Sequence, residues 1–301
     1  MNTEYIKVLP ALKAHYEKDG NMMEFLRNYF GRNHNTFDDI ICSYDLQSGT
    51  YIKFANENDD FMQKYSTDVA SVINGLDGNM NSILEAGVGE ATTFANVLSK
   101  LNGSYKQAFG IDISWSRVHL GNSYLAKKNL PHAKLGTGNI FNLPFQDNSI
   151  DVVYTSHAIE PNGGMESKLV AELYRVAAKY IVLFEPAYDF ADEAGKQRME
   201  KNGYCIGLWD IINNEGYKVL EHRKMDVFSN PLNPTGLTII EKVDNTQHNS
   251  KIGWACPVSH EILTEQDGVM TSANIGVSYP IIKDIPCLLP ENVVLTTHFN
   301  D

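Results

Sequence analysis

The sequence has few features that could place it in a membrane or on nucleic acid. It contains no run of about 18 apolar residues, the length that a membrane-spanning helix needs. Its 25 Lys and Arg residues are outnumbered by 37 Asp and Glu residues, which gives a formal net charge of −12. Because phosphate backbones are bound by basic surfaces, this charge argues against DNA or RNA as the main partner. It also disfavours anionic membrane surfaces.

Cysteine is scarce, and the N-terminal residues lack a basic flank followed by an apolar core. The four cysteines, Cys42, Cys205, Cys256 and Cys287, are too widely spread to indicate a disulfide framework. The first ten residues do not have the pattern of a secretory signal. These absences predict a protein of the reducing cytoplasm.

The chain divides into three regions that differ in composition and in the pattern of apolar residues. Residues 1–80 are rich in aromatic residues and Asn, and they predict a helical region that could act as a lid, with helices near Glu4–Phe30 and Asp59–Leu76. The stretch between these helices, residues 31–58, is predicted to be irregular because Gly, Asn and Asp punctuate it. After residue 243 comes a polar linker at 244–250. The last region, residues 251–301, contains short strand-like pieces and predicts a small β-rich domain.

Residues 81–243 alternate short apolar runs with helical patterns. Such alternation predicts βαβ units and a doubly wound α/β sheet. The predicted strands are Ser82–Glu85, Ala108–Asp112, Ile150–Tyr154, Tyr180–Phe184, Gly216–Met225 and Leu237–Val243, and the predicted helices follow the glycine turn through Leu101, near Ser116–Lys128 and near Glu166–Ala178.

A glycine-containing turn follows the first predicted strand, at residues 85–91. Gly87 and Gly89 permit a tight turn and a close approach of ligand to the main chain. Free N–H groups at the start of the next helix could hold an anion. However, the pyrophosphate of a dinucleotide would be repelled by Glu85 and Glu90. A carboxylate here favours a ligand with an ammonium group and no phosphate, such as S-adenosylmethionine.

Two further motifs lie downstream. Asp112 ends the second predicted strand, 23 residues after Gly89. An acidic side chain at this place can accept hydrogen bonds from both ribose hydroxyls, although it could instead cap the following helix. The third motif is the segment 138–145, Gly-Asn-Ile-Phe-Asn-Leu-Pro-Phe, followed by Asp147–Val153.

With these motifs, residues 60–243 resemble the class I, Rossmann-like, S-adenosylmethionine-dependent methyltransferases. The first motif of that family is Glu/Asp-x-Gly-x-Gly-x-Gly, and Ala91 replaces its last glycine. The resemblance implies a seven-stranded, doubly wound sheet. It also implies S-adenosylmethionine as cofactor and S-adenosylhomocysteine as product.

The resemblance assigns roles to residues of all three motifs. Glu85, Gly87 and Gly89 would line the methionine end, and Asp112 would hold the ribose. Asn139 stands where the family usually has Asp, and its amide oxygen would still accept a hydrogen bond from the adenine amino group. The Ile140 N–H would meet an adenine ring nitrogen. The complete predicted cofactor set is Glu85, Gly87, Gly89, Asp112, Ile113, Asn139, Ile140 and Ser156.

The loop after Ile150–Tyr154 is predicted to face the transferred methyl group, because the crevice of an open α/β sheet lies outside the carboxyl ends of its strands. In this loop, His157 and Glu160 are candidate general bases. His157 could instead only pack against the cofactor, and methyl transfer can also proceed through alignment alone. The predicted acceptor-binding residues are Tyr44, Tyr51, Arg32 and Asn162.

The C-terminal region resembles a small zinc-ribbon-like domain that activates RNA- and protein-modifying methyltransferases. Of its first Cys-x-x-Cys pair only Cys256 remains, with Ser259 opposite, while Cys287 and His260 are isolated. Structural zinc needs four paired ligands. The sequence therefore predicts a zinc-free fold, with no metal site, that packs against the catalytic domain and could contribute to a homodimer.

The resulting functional hypothesis is a methyltransferase that acts on a small-molecule or glycan acceptor. A protein or peptide methyltransferase is an alternative, which an open acidic groove would favour over an enclosed aromatic pocket. A non-catalytic scaffold that retains the fold is a second alternative. A nicotinamide-dependent oxidoreductase is a third, which Glu85 and the third motif disfavour.

Overall fold

A computed structural model describes residues 3–102, 105–243 and 251–300. The main sheet contains β1 (Ser82–Ala86), β2 (Gln107–Asp112), β3 (Ala133–Thr137), β4 (Ile150–Ser156), β5 (Ala177–Pro186), β6 (Lys218–Lys224) and β7 (Thr235–Glu241). Its strand order is β3-β2-β1-β4-β5-β7-β6, and β7 runs antiparallel to β5 and β6. The predicted seven-stranded α/β sheet is thereby confirmed. The predicted linker at 244–250 lies outside the described residues.

Helices cover both faces of this sheet. They include α6 (Thr92–Leu98), α7 (Trp115–Lys127), α8 (Glu166–Val176) and α10 (Leu208–Asn214), while α9 (Glu193–Asn202) lies between β5 and α10 along the chain. Side chains alternate along the strands, so that Ile83 joins one apolar cluster with α6 and α7, whereas Leu84 joins another with α8. Because both faces are covered, the central strands are buried along most of their length, and every residue of β1 is buried.

The N-terminal region forms five helices: α1 (Thr3–Tyr16), α2 (Met22–Phe30), α3 (Phe37–Leu46), α4 (Thr50–Glu57) and α5 (Asp59–Asn74). The prediction of one helix over Glu4–Phe30 is wrong. The chain turns at Asp19, whose φ of 58° is left-handed, and Asn21 then caps α2 by accepting the N–H of Glu24.

The prediction of an irregular stretch at residues 31–58 is also wrong, because α3 and α4 occupy most of it. Thr36 and Asp39 form a reciprocal capping box at the start of α3. Helix α4 has no side-chain cap from its own N-cap residue, Gly49. Its first N–H groups are bound instead by Glu90, which is distant in sequence.

The C-terminal residues form an antiparallel sheet of β8 (Thr264–Gln266), β9 (Val269–Ser272), β10 (Val277–Ile282), β11 (Ile285–Pro286) and β12 (Val294–Leu295). This segment packs against β3, the edge strand of the main sheet. Thr137 and Cys287 form a parallel bridge, and the Leu288 N–H donates to the Thr137 carbonyl over 2.9 Å. The Trp254 ring lies 5.0 Å from Phe109 and 5.3 Å from Phe145, measured between centroids.

The C-terminal segment therefore covers an open sheet edge, a surface that would otherwise invite pairing with other chains. The resemblance of this segment to a zinc ribbon, and the domain boundaries at residues 80, 243 and 251, remain predictions. In the part of the chain that the structure describes, every helix is too short or too polar to cross a bilayer.

Candidate functional site

A cavity of about 460 Å³ opens at the carboxyl ends of β1, β2 and β4, beneath helices α3–α5. Its volume is within the range of roughly 300–1,000 Å³ that is typical of small-molecule sites. The cavity brings together nearly all the residues that the sequence singled out. Those that line it are Tyr44, Tyr51, Glu85, Gly87, Gly89, Asp112, Ile113, Asn139, Ile140, Ser156, His157, Glu160 and Asn162.

The glycine turn forms one wall of the cavity. Gly87 has a φ of 83°, and a Cβ built on it would lie 2.2 Å from the Cβ of Ala158. No side chain fits at this position without moving the loop after β4. The N–H groups of Gly87 and Val88 donate to the Ile111 carbonyl over 2.7 and 2.9 Å. These bonds fix the turn against the end of β2.

Asp112 is fixed by two main-chain N–H groups. Its Oδ2 accepts from Gly89 over 2.9 Å, and its Oδ1 accepts from Ser114 over 2.9 Å. A carboxylate has about four lone-pair sites, so two remain for a ligand. Ser114, and not Asp112, is the N-cap of α7. The structure therefore overturns the alternative interpretation of Asp112 as a helix cap.

Glu85 lies on the cavity wall at the end of β1 and is only 2% exposed. Its Oε2 accepts a 2.6 Å hydrogen bond from the Tyr154 hydroxyl. Burial raises the pKa of Glu85 to about 8, against the opposing effect of that hydrogen bond. A cationic group beside the carboxylate would offset the cost of ionising it in a buried position. The sequence predicts such a group, the ammonium of the ligand, at this place.

The carboxylate of Glu90 binds main-chain N–H groups of the N-terminal region. Its carboxylate oxygens accept from the N–H groups of Gly49 and Ile52, each over 2.7 Å. On α3, Asp45 makes a similar link, because its carboxylate accepts from Ser114 Oγ and from the N–H and Oγ of Ser116. These bonds attach α3 and α4 to the nucleotide-binding loops predicted from the sequence, and they position the cover of the cavity.

Arg117, which the sequence analysis did not single out, stands beside Asp112. Its Nε donates to the Tyr44 carbonyl over 2.9 Å. Its guanidinium lies 4.7 Å from the Tyr44 ring centroid and 4.4 Å from that of Tyr51. Both tyrosines, predicted as acceptor contacts, thus pack around a cation near Gly89 and Asp112. Burial raises the pKa of Asp112, and the charge of Arg117 opposes this rise.

A row of aromatic rings lines the wall formed by α4, α5 and the loop after β4. Centroid separations are 6.0 Å for Phe54–Phe61, 5.8 Å for Phe61–Tyr65 and 6.2 Å for Tyr65–His157. The Tyr65 hydroxyl is hydrogen-bonded to Ser156 Oγ over 2.8 Å. We refer to Phe54, Phe61, Tyr65 and His157 as the aromatic row. Of these four residues, His157 was predicted from the sequence as a site residue.

His157 adopts a left-handed φ of 51°, which is uncommon for a side chain of this size. Its Nε2 is hydrogen-bonded to Thr235 Oγ1 over 2.7 Å. Burial lowers the pKa of His157 to about 4. The imidazole is therefore neutral near pH 7, and it is a weak base.

Glu160 lies in the same loop, next to the segment that precedes β7. Its Oε2 accepts from Nδ2 of Asn233 over 3.2 Å. Burial raises the pKa of Glu160, and the hydrogen bond from Asn233 opposes the rise. Asn162 also lines the cavity and donates to the Ile159 carbonyl.

The third sequence motif forms the far end of the cavity, where Asn139, Ile140 and Ile113 line it. Oδ1 of Asn139 accepts from the Phe141 N–H over 3.0 Å. One lone pair of this oxygen remains for a ligand. The assignment of these three residues to the cofactor remains a prediction.

Arg32 does not line the cavity. Its guanidinium donates to Asp39 over 2.9 Å and to the Tyr5 hydroxyl over 2.7 Å, and it stacks on Phe30. Arg32 therefore holds α1, α2 and α3 together. Its engagement with Asp39, which is fully buried, removes it from the predicted acceptor contacts.

The cysteines of the C-terminal segment are free and buried. Cys256 Sγ accepts from the Ser259 N–H and contacts the Tyr279 hydroxyl. Over the described ranges, His, Cys, Asp and Glu side chains form no group of three or more that could hold a metal ion.

A family model and several solved structures are similar to parts of this chain. Residues 83–179, from β1 into β5, match the family model of a methyltransferase domain. A search of curated proteins gave no match. Among solved structures, a magnesium protoporphyrin IX methyltransferase from Synechocystis with bound S-adenosylhomocysteine is 13% identical. Its TM-score is 0.47, with 72% of this chain and 92% of that chain covered.

Two other solved structures have similar scores. A geranyl diphosphate C-methyltransferase from Streptomyces coelicolor, in complex with Mg²⁺, geranyl diphosphate and S-adenosylhomocysteine, is 10% identical. It has a TM-score of 0.47, and 60% of this chain and 79% of that chain are covered. A (4+2)-cyclase is 14% identical with a TM-score of 0.46, covering 58% and 80%. At these identities the likeness concerns the fold alone, and a fold does not specify a reaction.

Proposed function

We propose that this chain is an S-adenosylmethionine-dependent methyltransferase that acts on a small-molecule acceptor. The observation that carries the proposal is the pair of carboxylates, Glu85 and Asp112, at the ends of adjacent strands on either side of the Gly87–Gly89 turn. Both line one cavity, and both have acceptor sites left for a ligand.

The residues present fit this cofactor at three points. Glu85 offers a buried carboxylate to an ammonium group, and Asp112 offers two acceptor sites to the ribose hydroxyls. Gly87 lines the cavity and has no side chain, so that a ligand can approach the main chain there. When bound, S-adenosylmethionine supplies a methyl group that leaves its sulfur as the acceptor's nucleophilic atom bonds to the methyl carbon.

The acceptor would bind on the β4 side of the cavity, where His157, Glu160 and Asn162 lie. Glu160 is the better proton acceptor of the two predicted bases, because burial moves its pKa upward toward neutral pH. His157 has a pKa of about 4, and its Nε2 is engaged with Thr235. We therefore assign His157 to alignment of the acceptor and Glu160 to removal of its proton.

The enclosure of the site supports a small acceptor over a protein or peptide. Helices α3–α5 cover the cavity, and the aromatic row lines one wall of it. A peptide methyltransferase would need an open groove for an extended chain.

Calorimetric titration with S-adenosylhomocysteine, with NAD as the control ligand, tests the proposal. We expect micromolar binding of S-adenosylhomocysteine and none of NAD. Release of S-adenosylhomocysteine from S-adenosylmethionine in an acceptor screen would then identify the reaction. Binding of NAD alone would overturn the proposal in favour of an oxidoreductase, and binding of neither would favour a scaffold.

A further inference from the structure

Arg198 brings a positive charge to the acceptor side of the cavity. It projects from α9 and lines the cavity together with Tyr204 and Asn233. Its guanidinium carbon lies 5.5 Å from the Tyr204 ring centroid, and its charge opposes the rise in the pKa of Glu160. Its Nη1 is buried and, within residues 3–102, 105–243 and 251–300, has no hydrogen-bond partner. A buried donor of a charged group that lacks a partner is costly. Such a cost is removed when a ligand oxyanion accepts from the guanidinium.

The other arginine of the cavity, Arg117, also has a buried nitrogen, Nη2, without a hydrogen-bond partner among the described residues, but it is held on the cofactor side of the cavity. Arg117 donates to the Tyr44 carbonyl, stacks on Tyr44 and Tyr51, and faces Asp112. Among the described residues that line the cavity, Arg198 is thus the cation that the proposed cofactor contacts leave over. It also lies on the β4, β5 and β7 side of the sheet, whereas Glu85 and Asp112 lie on β1 and β2.

A second buried polar atom near Arg198 also lacks a hydrogen-bond donor among the described residues. Oδ1 of Asn233 has no hydrogen-bond partner in the described part of the chain, while its Nδ2 donates to Glu160. Asn233 is only 7% exposed. A hydroxyl or amino hydrogen of a ligand would satisfy Oδ1, and the neighbouring Glu160 could accept from the same group.

The aromatic row supplies an apolar wall in the same cavity. Successive rings from Phe54 to His157 are about 6 Å apart, the spacing at which ring pairs interact favourably. A flat apolar ligand body would stack or pack along this wall. The cavity therefore combines a surface for a ring, a cation for an oxyanion and an acceptor for a hydrogen-bond donor.

We infer that the acceptor is a small aromatic molecule with an oxyanion, a carboxylate or phosphate, which Arg198 binds, and with a hydroxyl or amino group directed at Asn233 and Glu160. This inference rests on the proposed function, since it names the substrate class of that site. It narrows a general small-molecule acceptor to an anionic aromatic one.

Benzoate and phenyl phosphate, each compared with neutral benzamide, test this inference by ligand-observed NMR on the full chain, with and without S-adenosylhomocysteine. We expect the anions to bind about tenfold more tightly than benzamide, because a charge-assisted hydrogen bond is gained. In Arg198→Gln the preference should fall to about one, and in Arg198→Lys a part of it should remain. Whichever anion keeps the larger preference identifies the oxyanion.

Lys201→Gln is the matched control, because Lys201 is an exposed cation of the same helix outside the cavity. It should leave the preference unchanged, and all three variants should retain the wild-type melting temperature within a few degrees. The inference is overturned if benzamide binds as well as the anions, if no anion binds at millimolar concentration, or if the preference survives in Arg198→Gln.

The two proposals can fail separately. Arg198-dependent binding of an anion without any binding of S-adenosylhomocysteine would leave the anion subsite in place and overturn the methyltransferase proposal. Binding of S-adenosylhomocysteine without an Arg198-dependent preference would do the reverse.

Discussion

Asp112 and Glu85 end adjacent strands, yet their surroundings give them different chemistry. Asp112 is held by two backbone N–H groups and faces Arg117, and these contacts oppose the effect of burial on its pKa. Glu85 receives one hydrogen bond, from Tyr154, and has no comparable cation beside it. We therefore expect Asp112 to accept hydrogen bonds from hydroxyl groups and Glu85 to bind a cationic group.

The substitution Asp112→Asn tests the ribose contact. The amide keeps an oxygen that can accept from Gly89 or Ser114, but it loses the charge and at least one acceptor site. We expect affinity for S-adenosylhomocysteine to fall by about 1.5–3 kcal/mol, or roughly ten- to hundredfold. Titration calorimetry measures this loss. Asp210→Asn, an exposed change on α10, is the control, and unchanged affinity in Asp112→Asn would remove Asp112 from the site.

The raised pKa of Glu85, about 8, predicts that cofactor binding releases a proton near pH 7. The free carboxyl is mostly protonated there, and a bound ammonium favours its ionised form. Titrations of S-adenosylhomocysteine in buffers of different ionisation enthalpy should show release of about one proton. The release should vanish in Glu85→Gln but persist in Glu185→Gln, whose carboxyl has a similarly raised pKa outside the cavity. Equal heats in all buffers would contradict the prediction.

The raised pKa of Glu85 also predicts how the stability of the ligand-free protein changes with pH. A carboxyl with a pKa near 8 in the folded chain and about 4.3 when unfolded binds more protons in the folded state between these values. The ligand-free protein therefore loses stability as pH rises through this window. Glu85→Gln removes that loss, so its melting temperature should exceed that of the wild type at pH 8. A lower melting temperature at pH 8 would argue against a penalty at Glu85.

A site residue could be predicted from the sequence when the pattern that marks it lies within a short stretch of the chain. Glu85, Gly87, Gly89 and Asp112 lie in or just after strands with recognisable turns, and the cavity gathers them as expected. Arg198 enters the cavity only because α9 packs beside the loop after β4. No periodicity or spacing in the chain marks such a residue.

Among the elements, helices α3 and α4 show two different limits of prediction from sequence. The capping box of α3, Thr36 with Asp39, is a local pattern that the sequence contains and the analysis missed. For α4, the group that binds its first N–H groups is Glu90, about forty residues away. A cap of that kind becomes visible only when the tertiary structure brings the two segments together.

Strand β3 was missed for a related reason. Its sequence, Ala-Lys-Leu-Gly-Thr, has little of the β-branched character of a strand. Gly136 leaves space that the C-terminal segment fills, because a Cβ there would be 3.3 Å from both Pro286 and Trp254. Pairing on both sides, with β2 and with the bridge to Cys287, makes this weak strand form.

The contact between the C-terminal segment and the main sheet yields a prediction for Trp254. Its ring packs on Phe109 and Phe145. Replacing Trp254 by Ala should lower the free energy of unfolding by roughly 3 kcal/mol, because a large apolar contact is lost. Chemical denaturation measures the change. Val258→Ala is the control, since Val258 is 66% exposed and should alter stability little. An unchanged midpoint for Trp254→Ala would mean that the two sheets are energetically independent.

At the scale of the whole molecule, the strand order separates the two proposed ligand sites. Strands β1 and β2 carry the two carboxylates proposed to bind the cofactor. The loop after β4 carries His157 and Glu160, and the segment that leads into β7 carries Asn233. The N-terminal helices close the cavity over both halves through Asp45 and Glu90. The position of the site thus follows from the topology, and its specificity follows from segments outside the central motif.

Because the cover, the sheet and the C-terminal segment contact one another directly, we expect the chain to unfold as one unit. Differential scanning calorimetry should show a single endotherm. S-adenosylhomocysteine at 100 times its dissociation constant should stabilise the folded state by about 2.7 kcal/mol and raise the melting temperature by on the order of 5 °C. NAD should cause no shift, and Trp254→Ala should melt earlier but keep the ligand-induced shift. Two endotherms, of which S-adenosylhomocysteine moves only one, would show instead that the C-terminal segment folds independently of the cofactor site.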